Sequence, residues 1–133
     1  MSSYLPHFNP DIEEQEIAAV SALRAALNTA DAVLIACPEY AHGLPGAFKN
    51  ALDWVVGSGE LSGKPVLALN TSARSIHAPA QLTEVLRTMD ARVLEDMLIE
   101  APRQAGDVLD APGVFQKLQD MWRGLLQTTD TPA

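Results

Sequence analysis

Apolar residues recur along this chain in two rhythms. Ile17, Val20, Leu23 and Leu27 fall at helical spacing, with Glu16, Arg24 and Asn28 on other faces, and predict an amphipathic helix from about Glu13. The same spacing returns in Phe48, Leu52, Val55 and Val56, in Leu82, Val85, Leu86 and Met89, and in Phe115, Leu118, Met121, Trp122 and Leu125. Between these stripes lie short apolar runs without alternation. "ADAVLIAC", ending at Cys37, and "PVLALN", from Pro65 to Asn70, read as parallel strands covered on both faces, and Arg92 to about Glu100 reads as a third strand. Pro6, Asn9 and Pro10 make "YLPHFNPD" an irregular lead-in, "GSGELSG" ends the second helix, and the tail from Thr128 to Ala133 is expected to fray.

Helix and strand therefore alternate with no hairpin signal, which predicts an α/β fold: a parallel sheet of about three strands, with about four helices covering both faces through right-handed crossovers. In such a sheet, ligands bind at the carboxyl ends of the strands. Two loops leave that edge, "CPEYAHGLPG" after the first strand and "NTSARSIHA" after the second, and together they would wall one crevice.

With 133 residues the chain has room for one domain spanning residues 1–133, and at 47% hydrophobic and 20% charged it has the composition of a globular protein. No apolar run reaches the length of a membrane span, and the N-terminus lacks the pattern of a signal peptide, so the expected location is the cytoplasm, with no membrane partner. A formal net charge of −8 repels polyanions and argues against nucleic acid. Glu13, Glu14 and Glu16 read as a solvated helix start. The single Cys37 forms no internal disulfide and reads as a buried small residue; with three scattered histidines it gives no metal-ligand spacing, so no metal is expected.

In the first loop, Pro38 and Pro45 fix backbone angles, Gly43 and Gly46 allow close approach, and the helix that follows offers unpaired N–H groups. Such a surface suits a flat, electron-rich ring, although glycine and proline also punctuate ordinary strand-to-helix turns. The segment "PEYAHGLPGAFKNALDW", Pro38 to Trp54, resembles the second flavin-contacting segment of the NAD(P)H-dependent FMN reductases, a flavodoxin-like family that includes quinone, azo-dye and chromate reductases. The likeness extends through Leu5–Asp11, Gly63–Arg74 and Ala80–Val93. It implies a three-layer flavodoxin-like domain, FMN and NADPH or NADH as cofactors, a small-molecule electron acceptor, and a homodimer or homotetramer. It further implies that Pro38, Glu39, Tyr40, Ala41, His42 and Gly43 line the isoalloxazine ring, and that Asn70, Thr71, Ser72, Ala73 and Arg74 approach its pyrimidine side. Hydride transfer occurs on the flavin in such enzymes, so no catalytic acid, base or nucleophile of the protein's own is expected. In relatives the helix carrying Lys49, Asn50, Asp53 and Trp54 meets a partner subunit.

Members of that family begin with a strand, a Gly-Ser-x-Arg phosphate loop, a helix and a second strand ahead of the stretch that "LPHFNPD" resembles; no such loop occurs here. The resemblance thus implies a domain incomplete at its N-terminus, a weakened hold on the FMN phosphate, and an uncovered edge beside "AVLIAC". Two functions stay open at this point. One is an FMN-dependent NAD(P)H reductase; the alternative is a truncated, non-catalytic flavodoxin-like domain acting as an oligomerisation or interaction module.

Overall fold

The computed structural model describes residues 5–70, 72, 74–98 and 113–129. Strands β1 (Val33–Ala36), β2 (Pro65–Asn70) and β3 (Arg92–Leu98) form a parallel sheet in the order β1-β2-β3. Helices α1 (Ala18–Thr29), α2 (Gly46–Val56), α3 (His77–Thr88) and α4 (Val114–Thr129) alternate with them. This is the predicted α/β architecture, with three strands and four α-helices among the described residues. Helix α4 runs to Thr129, and residues 130–133 of the expected tail lie outside the described residues.

Burial follows the two faces of β2. Val66 and Ala68 pack with Ile35 of β1, with Leu52 and Val55 of α2, and with Leu82 and Leu86 of α3; Leu23 and Leu27 of α1 lie against the same cluster. Leu67 points the other way, onto Met121 and Leu125 of α4. The sheet thus carries α1, α2 and α3 on one face and α4 on the other, giving three layers. Each fully buried Leu or Val contributes about 1.5–3 kcal/mol through removal of apolar surface from water.

The apolar run of β1 implied cover on both faces, and the structure corrects this. Ile35 is buried, but Leu34 is 47% exposed and Ala36 is exposed: among the described residues β1 stands at the sheet edge, and α4 centres its buried residues on Leu67 of β2. A groove of about 380 Å³ runs along this face between Leu34, Leu67, Leu118, Met121 and Trp122, and Trp122 is 51% exposed.

The start of α1 also differs from its periodicity. Asn9 caps a 3-10 helix at Pro10–Ile12 by accepting from the Asp11 N–H, the chain turns through Glu13 and Glu14, and α1 begins only at Ala18. Glu13 is therefore no helix-start residue. Its Oε1 lies 3.8 Å from Arg24 Nη2 and occupies the place where a side chain on Gly57 would stand. Arg24 in turn donates to the Trp54 carbonyl at the end of α2 and faces the buried Glu60 at 3.8 Å.

Asn50 and Trp54, expected toward a partner subunit, turn inward. Trp54 has no exposed surface, and its indole N–H donates to the Pro6 carbonyl at 2.8 Å. Asn50 Nδ2 donates to the same carbonyl, Asn50 Oδ1 accepts from the Phe8 N–H at 2.7 Å, and Phe8 meets Trp54 edge-to-face. These contacts strap the irregular lead-in to α2. Asn50→Ala removes two of them and is expected to lower the unfolding free energy by about 1–2 kcal/mol, read from urea melts. Asn50→Asp keeps the acceptor for Phe8 and should lose less.

Candidate functional site

The register of β1 on β2 sets Ala36 opposite Leu69, so the loops after the two strands leave the sheet at nearly the same level. The first loop begins at Cys37. Its thiol points toward the Pro38 carbonyl, and burial raises its pKa, which leaves it a protonated packing group. Pro38 is exposed and stiffens the exit from the strand.

The centre of the loop is a tight turn. Tyr40 and Gly43 exchange both of their N–H···O bonds at 3.0 Å, and the residues between them, Ala41 (φ 48°) and His42 (φ 59°), both take the left-handed conformation. Non-glycine residues adopt this region at a penalty of about 1–3 kcal/mol each, so surrounding contacts must hold the turn in place. At its tip, the N–H groups of Ala41 and His42 have no hydrogen-bond partner among the described residues. Tyr40 stands beside them, 65% exposed.

Three contacts tie this turn to α3. Glu39 Oε2 accepts from the N–H of both His77 and Ala78, each at 2.8 Å, at the first turn of that helix. Gln81 Oε1, one turn further along, accepts from the Leu44 N–H at 2.8 Å. The His42 ring stacks on the His77 ring with centroids 4.3 Å apart and planes 27° apart. The hydrogen bond from Ala78, and then that from His77, with the nearby imidazoles, hold the Glu39 carboxyl below the usual carboxylate range against a smaller opposing effect of burial.

The second loop is organised by Asn70. Its Oδ1 accepts from the Ser72 N–H at 3.1 Å, its Nδ2 donates to the Ser75 carbonyl at 2.8 Å, and Ser72 Oγ accepts from the Arg74 N–H. Arg74 is exposed at the same sheet edge. Thr71 and Ala73 lie outside the described residues.

The two loops come together at this edge, where Glu39 of the first meets the N–H groups of His77 and Ala78 just after the second. Behind them, among the described residues, lies a cavity of about 10 Å³ lined by Cys37, Ala68, Asn70, Ala78 and Leu82, room for at most one water. What the loops present is an outer surface made by the Tyr40–Gly43 turn. Sequence reasoning gave no role to Gln81 and little weight to His77. Their i,i+4 spacing just after the second loop sets both on one helix face and was the available signal. Among the described residues, no group of three or more His, Cys, Asp or Glu side chains is placed to hold a metal ion, and no helix is long and apolar enough to cross a membrane.

Comparison with known proteins adds relatives to this geometry. The sequence model of the family described as NADPH-dependent FMN reductase matches residues 1–104. A quinone reductase of Escherichia coli (strain K12) is 36% identical over 98 residues, covering 68% of this chain and 52% of its own length. An NAD(P)H-dependent FMN reductase of Pseudomonas aeruginosa is 33% identical over 133 residues, covering 94% of this chain and 69% of its own. Among solved structures, the flavoenzyme NAD(P)H:(acceptor) oxidoreductase FerB from Paracoccus denitrificans superposes with a TM-score of 0.71 at 25% identity, covering 96% of this chain and 74% of that one. The chain spans about half the length of the Escherichia coli relative.

The depressed Glu39 pKa has a consequence for stability. A carboxylate bound more tightly in the folded state stabilises the fold above its unfolded pKa, and this contribution is lost as pH falls through the lower folded value. Glu39→Gln keeps a carbonyl acceptor but carries no charge. The melting temperature of the wild type should exceed that of Glu39→Gln at neutral pH, and the gap should close as the pH is lowered through the depressed folded-state pKa of this carboxyl.

Proposed function

Because this chain belongs to the NADPH-dependent FMN reductase family, we propose that it binds FMN and passes reducing equivalents from NADPH or NADH to a small acceptor such as a quinone or another flavin. The observation that carries this reading is the tip of the first loop. Ala41 and His42 are both left-handed, their N–H groups have no hydrogen-bond partner among the described residues, and Tyr40 beside them is exposed. Donors at the rim of an exposed aromatic ring are the chemistry that a planar heterocycle with carbonyl and ring-nitrogen acceptors requires.

The donor set fits the ring end of FMN. Pro38, Tyr40, Ala41, His42 and Gly43 would hold it, with Glu39 contributing main chain, and Thr71, Ser72 and Arg74 would approach from the second loop. Arg74 also supplies a positive charge for a phosphate or for the nicotinamide nucleotide, in a chain of net charge −8. Bound FMN supplies the hydride chemistry. The protein's part is to orient the ring and to set hydrogen bonds around its polar edge, and no acid, base or nucleophile of the chain is needed. Association into a homodimer or homotetramer, and a cytoplasmic location, belong to the same proposal and rest on the family likeness.

Titration of the purified chain with FMN, followed by flavin fluorescence, tests the reading. Saturable quenching is expected, together with FMN-dependent NADPH oxidation showing parallel-line, two-step kinetics when a quinone is varied. Tyr40→Ala should raise the FMN dissociation constant about three- to tenfold while leaving the melting temperature close to that of the wild type. Fluorescence unchanged by the wild-type chain would sink the enzymatic reading.

A further inference from the structure

The Tyr40–Gly43 turn is fastened to α3 at both of its ends. Glu39, the residue before the turn, accepts the N–H groups of His77 and Ala78, and Leu44, the residue after it, donates to Gln81. Between these fastenings the turn is closed by its own pair of hydrogen bonds, and His42 at its tip stacks on His77. Helix α3 is itself fixed to the core, with Ala78, Leu82 and Leu86 buried. A four-residue turn held at both ends to a helix anchored by one buried face cannot swing independently of it. Its left-handed residues would relax without such support.

We propose that Glu39 and Gln81 are positioning residues of the proposed flavin site. They set the direction in which the turn presents the Ala41 and His42 N–H groups, the Glu39 carboxylate reaching from the turn onto the start of α3 and the Gln81 amide oxygen reaching from α3 onto the Leu44 N–H, neither of them spent on the ligand. The inference rests on the flavin-binding reading and adds the device that gives the turn its rigidity. A carboxylate taking two helix N–H groups is a strong fastening, since charge-assisted bonds to a helix start add the helix dipole to the hydrogen bonds. Gln81 is the second, neutral one. The oxygen of its amide also lies 3.2 Å from where a Cβ on Gly43 would stand, so a glycine at that position lets the helix side chain approach the turn.

The test combines two measurements on the full chain. In the flavin-free protein, amide hydrogen exchange at Leu44 and Ala78 is measured in the wild type, Glu39→Ala and Gln81→Leu. Each variant should speed exchange at both amides, because the two fastenings hold one unit. FMN titration of the same variants should give a dissociation constant raised about tenfold in each, as for loss of one oriented hydrogen bond. The double variant should be little worse than either single one, because both residues act through the same turn. Glu39→Gln, which keeps an acceptor, should recover most of the affinity.

A general structural role would instead lower melting temperatures additively and leave the affinity of the folded fraction untouched; that pattern overturns the proposal. So do FMN affinities within twofold of wild type in both single variants, or losses that multiply in the double variant. Wild-type protein that takes up no FMN overturns the functional reading and the positioning role with it, while faster exchange in the variants would still establish the fastening. Unchanged exchange at Leu44 and Ala78 overturns the fastening, whatever the flavin does.

Discussion

Strand β2 is the constraint on which the rest of the molecule depends. It is buried on both faces and, among the described strands, is the one paired along both edges, so its register fixes the height of everything around it. Because β1 runs parallel with Ala36 beside Leu69, the loop after β1 and the loop after β2 emerge together. An antiparallel partner would have put them at opposite ends. The start of α3 follows the second loop and so comes within reach of Glu39. The chemistry of the sheet edge is thus a consequence of apolar packing two layers below it.

Much of this was legible in the chain. The alternation of stripes and apolar runs gave the number and order of elements, because each helix here keeps one side on the sheet and each strand is short and apolar. The reading failed where periodicity and cover part company. Ile17 and the acidic residues before it continue the helical spacing of α1, yet they precede the helix, because Pro10 and Asn9 have already set a different turn there. The run at β1 looks as apolar as that at β2, but composition does not say which strand stands at an edge. That depends on pairing, which is long-range.

The site was legible in its residue types and not in its shape. Proline and glycine in "CPEYAHGLPG" marked a constrained loop, and the family likeness gave it a partner ring. Nothing in the spacing said that the left-handed residues would be Ala41 and His42 while Gly43 closes the turn, or that Glu39 would spend its carboxylate on a helix thirty-eight positions away. Contacts at that separation follow from the tertiary fold. They also explain how a loop with two unfavourable backbone conformations can be held in one form: the strain sits where the neighbouring helix can oppose it.

The contrast between the chain's two indoles carries a practical consequence. Trp54 is sealed inside the protein with its N–H bonded to a carbonyl, whereas Trp122 sits half in water on the opposite layer. Intrinsic emission from this protein is therefore two signals in one spectrum, a short-wavelength component reporting loosening of the core and a long-wavelength component reporting contact with the outer surface of α4. A quencher dissolved in water would silence the second and spare the first, so that one cuvette separates unfolding from surface association.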